Sequence, residues 1–166
     1  MIGPYDLTTV RCQMWSDPHP PDAGTKKEAF LPAIRVLLAD DYEPWRRCVN
    51  SLFSRHPEWQ IVSEVSDGME AVRKAEELKP DLVLLDLSLP KLNGVEAANR
   101  IRQTSPATKI VFITAYRDSE AMETVLRNTA DGYVLKWEIS KDLPQAVETV
   151  VWGGKFVSAR LKSFPS

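Results

Sequence analysis

The sequence predicts an α/β fold, a doubly wound parallel sheet of five strands with helices on both faces. Three observations predict it. Apolar, β-rich runs alternate five times with stretches of helical period. The connections between them are short. Two of the runs, Leu82–Leu85 and Ile110–Ile113, are continuously apolar, as strands buried on both faces are.

Each element has its own justification. The strands are Ile34–Ala39, Ile61–Val65, Leu82–Asp86, Lys109–Thr114 and Gly132–Lys136. After the first, Trp45, Cys48, Val49, Leu52 and Phe53 recur at the spacing of one helix face. Ala71, Val72, Ala75 and Leu78 mark the second helix, and Val95, Ala98 and Ile101 the third. Ala121, Met122, Val125 and Leu126 mark the fourth, and Leu143, Ala146, Val147 and Val150 the fifth. Residues 1–33 carry Pro4, Pro18, Pro20, Pro21 and Pro32 with Gly3 and Gly24, and show neither period. Proline lacks an N–H and glycine resists ordering, so this segment reads as a flexible extension with a short helix near Lys26–Phe30. Residues 159–166 read as a C-terminal stub.

Composition sets outer limits. The chain has 166 residues, 43% hydrophobic and 27% charged, which suits one ordinary domain with one buried core. The net charge of −2 lacks the basic excess of a nucleic-acid binder. Two cysteines, Cys12 and Cys48, make neither a disulfide framework nor a four-ligand metal site. Apolar runs of about five residues fall far short of the roughly 20 that span a bilayer. No secretory signal is evident, so the expected location is cytoplasmic.

In a doubly wound sheet, chemistry gathers beyond the carboxyl ends of the strands. The first strand runs into Asp40 and Asp41. The third ends in Asp86, the fourth in Thr114 and the fifth in Lys136. Each has an ordinary alternative. Asp41 would serve as a helix N-cap ahead of Glu43 and Pro44, Thr114 is a common β-former, and Lys136 can extend to solvent. Asp86 closes an apolar strand, where an ionised group needs a partner. Independent strands would not be expected to bring all five groups to one edge by chance.

The physics of the set is coherent. Crowded carboxylates raise one another's pKa unless a cation intervenes. A hard divalent ion, Mg²⁺ or alternatively Mn²⁺, suits oxygen donors, and with the Lys136 ammonium it brings the cluster close to neutrality. No His or Cys lies near these strand ends, which disfavours zinc or copper. Asp86 is then placed to attack phosphorus as a carboxylate nucleophile, with Lys136 and Thr114 binding phosphoryl oxygens.

The residues also resemble a known family. Val65–Val72, with its Asp67-Gly68 pair, and Lys79–Gly94, through Asp86-Leu87-Ser88-Leu89-Pro90-Lys91-Leu92-Asn93-Gly94, resemble the receiver domain of two-component response regulators. The likeness covers about 34–158 and implies a flavodoxin-like, CheY-like three-layer sandwich. By resemblance, Asp86 is the phosphoacceptor and Asp41 the direct Mg²⁺ ligand, with Asp40 acting indirectly. The backbone carbonyl of Ser88 completes the metal site. Thr114 is the switch hydroxyl, Lys136 the phosphate-binding lysine and Tyr133, three residues before it, the switch aromatic, the ordinary alternative for Tyr133 being a plain core position. Ser88 and Tyr116 would flank the water path that sets phosphate lifetime.

Gly132–Lys136 and Val151–Ser158 resemble the NarL/FixJ subgroup, whose members usually continue into a helix-turn-helix domain. About eight residues follow Ser158, too few for a recognition helix, so no direct nucleic-acid contact is expected from this chain. Many receivers have proline after the lysine; here it is Trp137, which leaves the geometry of that peptide bond open. The implied partner is a sensor histidine kinase or phosphotransfer protein. A homodimer would use the face of the fourth predicted helix, fifth strand and fifth predicted helix. No membrane partner is expected. The implied activity is self-phosphorylation and slow autodephosphorylation, with no diffusible turnover substrate. The competing reading is an interaction module that keeps the fold without phosphorylation. An aspartyl phosphohydrolase ranks lower, because the second acid it needs two residues after the nucleophile is Ser88 here.

Overall fold

The computed structural model describes residues 32–115 and 129–162. All strands run parallel, in the order β2-β1-β3-β4-β5-β6. They are β1 Ile34–Ala39, β2 Trp59–Val65, β3 Leu82–Asp86, β4 Lys109–Thr114, β5 Gly132–Leu135 and β6 Phe156–Val157. The helices are α1 Glu43–Phe53, α2 Gly68–Leu78, α3 Gly94–Thr104, α4 Ile139–Val151 and the short α5 Ala159–Lys162. The α4 helix is the fifth predicted helix. The fourth predicted helix, around Ala121–Leu126, lies outside the described residues, as do Tyr116 and the helix expected near Lys26–Phe30.

Alternation along the strands sorts the core into two halves. Val36 and Leu38, Leu82 and Leu84, Val111 and Ile113, and Val134 face α1 and α4, against Trp45, Val49, Phe53, Leu143 and Val147. Leu37 and Ala39, Val83 and Leu85, Ile110 and Phe112, and Tyr133 and Leu135 face α2 and α3, against Ala71, Ala75, Ala98 and Ile101. The result is the three-layer sandwich that continuous apolar strands require.

Among the described residues the sheet has a sixth, two-residue strand beyond the five that the sequence predicts. Phe156–Val157 is too short to show a period of two, yet it pairs with β5 through Gly132–Phe156 and Tyr133–Val157. The second strand begins two residues early, because Trp59 is buried against Phe53, with ring centroids 5.2 Å apart. Between Val36 and Leu37 the register with β2 slips by one residue, a bulge that sets Val62 outside the pairing. The fifth strand stops at Leu135, and Lys136–Glu138 form a single 3₁₀ turn. Residues expected as a stub include α5, whose Leu161 is buried.

The loop after β3 is pinned to the start of α2. Asp67 caps α2 by accepting from Glu70 N at 2.8 Å, and its other oxygen accepts from Lys91 Nζ at 2.7 Å. Gly68 N donates to Pro90 O at 3.2 Å, and a Cβ on Gly68 would stand 1.9 Å from Leu92 O. Lys91 sits at φ 63° in a three-residue turn closed by Leu92 N donating to Pro90 O at 2.7 Å. That backbone region is unfavourable for a lysine, so the surrounding contacts hold it there.

Lys91 first, then the Glu70 N–H, hold the Asp67 carboxyl below its ordinary value of 3.8. A group with a lowered folded pKa contributes stability above its unfolded pKa, and the contribution fades as pH falls through the folded one. Asp67→Asn keeps a capping oxygen and loses the charge. Its stability deficit against wild type is therefore expected at pH 6 and expected to shrink below about pH 4. Thermal melts of both proteins across that range check it; a deficit that is constant with pH contradicts the role of the charge.

Candidate functional site

The winding of the sheet places the site. From β1 the chain moves outward to β2, then returns to β3 on the other side of β1. The crevice between β1 and β3 is the point where the winding reverses, and Asp40 and Asp86 stand at its carboxyl end. Register makes this quantitative. Ala39 pairs with Leu85, so Asp40 and Asp86 are level. Asp86 pairs with Ile113, which puts Thr114 one residue further, and Thr114 pairs with Leu135, which puts Lys136 one further again.

Lys136 closes the cluster. Its Nζ donates to Asp40 Oδ2 at 2.5 Å and to Asp86 Oδ2 at 3.2 Å. All three residues are buried. The ammonium also lies 5.2 Å from the centroid of the Trp45 ring, within cation–π range. Both acids turn their remaining oxygen back on the chain. Asp40 Oδ1 accepts from Tyr42 N at 2.9 Å, and Asp86 Oδ1 accepts from Ser88 N at 3.3 Å. This two-residue turn is a habit of aspartate and fixes both carboxylates before any ligand arrives. Burial pushes the Asp40 carboxyl above its ordinary value; the Lys136 ammonium opposes that shift and the neighbouring Asp86 adds to it.

Asp41 is exposed at the mouth. It does not cap α1: the capping position is Tyr42, which makes no side-chain cap. One oxygen of its carboxylate and one from each of Asp40 and Asp86 lie within 4.8 Å of one another, close enough to hold a metal ion. Donors that are all carboxylate oxygens fit a hard cation.

Thr114 and Tyr133 are fully buried. Tyr133 faces α2 and α3 with Phe112, at 6.3 Å between ring centroids. Strand alternation puts Thr114 on the same face as Phe112, the opposite face from Val134. The Lys136–Trp137 bond is trans. Two contributors are invisible in the sequence. Trp45 reads there only as an apolar helix position, and nothing local marks it as a neighbour of Lys136. Arg46 braces the first acid from behind, donating from Nη1 to Asp40 O at 2.7 Å while its Nε pairs with Glu64 at 3.2 Å.

A family model described as "Response regulator receiver domain" matches residues 36–148. The chain belongs to that family. Receivers accept a phosphoryl group in two-component signalling, and the parallel sheet described above is their CheY-like fold. The chain is 36% identical over 121 residues to the response regulator protein VraR of Staphylococcus epidermidis, covering 73% of this chain and 58% of that one. It is 32% identical over 128 residues to the transcriptional regulatory protein DegU of Brevibacillus brevis, covering 77% of this chain and 54% of that one. Among solved structures, a LuxR-family two-component response regulator from Aurantimonas sp. SI85-9A1 superposes with a TM-score of 0.74 at 33% identity, covering 78% of this chain and 93% of that one. The receiver chain thus spans little more than half the length of these curated relatives. Among the described residues, no helix is long and apolar enough to cross a membrane.

Proposed function

We propose that this chain is a phosphoacceptor in a cytoplasmic two-component relay, with residues 34–158 as the receiver unit and Asp86 as the acceptor. The observation that carries this reading is the buried Lys136 ammonium held between Asp40 and Asp86 at the mouth of the β1–β3 crevice. The Asp86 carboxylate forms the new O–P bond as the P–N bond of a partner's phosphohistidine breaks, and the imidazole leaves with the electron pair. Lys136 then exchanges a carboxylate partner for a phosphoryl oxygen, and the Thr114 hydroxyl donates to another. Asp41, Asp86 and the Ser88 carbonyl are the groups that would hold Mg²⁺, with Asp40 acting through its contact to Lys136. When bound, the ion supplies neutralisation of charge on the phosphoryl group.

The gain of charge and acceptor oxygens is read by the neighbouring side chains. Thr114 and Tyr133 share one sheet face, which supports a coupled movement of the two. The surface that changes is that of the fourth predicted helix, β5 and α4, used for a partner or a second copy. Activity is confined to self-phosphorylation and slow autodephosphorylation. A sensor histidine kinase or phosphotransfer protein is the donor.

Incubation with acetyl phosphate and Mg²⁺, followed by intact-mass measurement, tests the reading. One phosphoryl group per chain is expected, with none when EDTA replaces the metal. A chain that stays unlabelled under all donors, and whose tryptophan fluorescence ignores millimolar Mg²⁺, is instead an interaction module that retains the fold.

A further inference from the structure

The segment after α4 is fastened to the strand that carries Lys136. Phe156–Val157 pair with Gly132–Tyr133, and Ser158 N donates to Tyr133 O at 3.0 Å. Ser158 Oγ, fully buried, accepts from Leu135 N at 3.1 Å. Leu161 is buried in the same cluster as Tyr133 and Leu135. Arg160 Nε pairs with Glu138 Oε1 at 3.0 Å. Leu135 is therefore a rung between Thr114 on one side and Ser158 on the other, and the next residue is Lys136.

We infer that residues Phe156–Lys162 form a strap that positions Lys136 and that reports occupancy of the phosphoryl site to the chain that follows. The inference rests on the acceptor reading and goes beyond it. Without the Ser158 hydroxyl, the β5 edge would present a buried, unpaired N–H at the residue before the lysine. The docked strap satisfies that group and so favours one path for β5 into the 3₁₀ turn. Linkage makes the relation reciprocal. If the docked strap favours the Lys136 geometry that binds a phosphoryl group, a bound phosphoryl group favours the docked strap by the same factor. The hydroxyl acts through Leu135 and touches no reacting atom, so Ser158 is a positioning residue.

The experiment uses the full chain with Mg²⁺ and beryllofluoride as the phosphoryl mimic. Amide hydrogen exchange of the wild type, loaded and unloaded, is followed at Leu135, Ser158 and Leu161. Loading is expected to slow exchange at these amides about fivefold or more. Ser158→Ala is expected to weaken beryllofluoride binding by the same factor with Mg²⁺ affinity unchanged, and Ser158→Thr to restore it. The exchange measurement needs no variant, so a misfolded mutant does not decide the matter. Beryllofluoride that binds while strap exchange stays unchanged overturns the inference and leaves the acceptor reading standing. Beryllofluoride that fails to bind the wild type overturns both.

Discussion

Asp86→Asn is expected to take up no phosphoryl group from acetyl phosphate while keeping the fold. An amide oxygen carries no charge and is a poor nucleophile, so the O–P bond does not form. The side chain keeps its size and its carbonyl oxygen can still accept from Ser88 N, which Asp86 Oδ1 holds at 3.3 Å. Lys136 keeps its shorter contact, 2.5 Å to Asp40 Oδ2, so no buried ammonium is orphaned. Loss of one attraction to Lys136 is offset by loss of repulsion from Asp40. The stability change is therefore expected to stay within about 1 kcal/mol. Intact-mass labelling reads the first effect and thermal denaturation the second. A variant that takes up phosphoryl groups to the wild-type extent, at another residue, removes Asp86 from its role.

Gly94→Ala is expected to damage stability and labelling together. A Cβ there would stand 2.2 Å from the carbonyl oxygen of Asp86 and 2.8 Å from Cα of Leu87. Both obstacles are backbone, and Gly94 N is itself held by Leu87 O at 2.9 Å. Neither side can yield without moving the Asp86 peptide. Overpacking of this kind costs about 1–3 kcal/mol, which lowers the melting temperature by roughly 4–12 °C. Asn93→Ala is the control. Asn93 caps α3 by accepting from Glu96 N at 2.9 Å, and its loss costs about 1 kcal/mol without touching Asp86. Labelling rate per folded molecule should fall in Gly94→Ala and persist in Asn93→Ala. Equal rates in the two would show that the β3–α3 junction does not align Asp86 for labelling.

Legibility followed the range of the forces involved. β1, β3 and β4 have the limits that the sequence predicts, because a run buried on both faces marks its own extent to within a residue. β5 is one residue shorter than the sequence predicts, since apolar character cannot show that Lys136 already belongs to a 3₁₀ turn. β6 has two residues, and no periodicity exists at that length. The acids and the lysine are legible as a cluster because topology brings strand ends together whatever lies between them. Trp45 and Lys136 meet across the whole sheet sequence, and Ser158 reaches Leu135 only because the chain doubles back after α4. Such pairings follow from packing, which no local pattern encodes. The tie between Lys91 and Asp67 is of the same kind, since both residues look like ordinary surface charges until the loop folds over α2.

The added strand has a bearing on colloidal behaviour. A parallel sheet ends in two rows of unpaired amides and carbonyls, and long flat rows recruit foreign strands. Here β5 is not a margin of the described sheet; the margin is β6, only two residues long and followed at once by α5. The opposite margin, β2, is kinked by the bulge at Val62 and carries Glu64, whose carboxylate is engaged by Arg46 and Asn50. Neither border of the described sheet offers a foreign strand a long, straight apolar template, which works against templated growth on a sheet whose interior strands are mostly apolar.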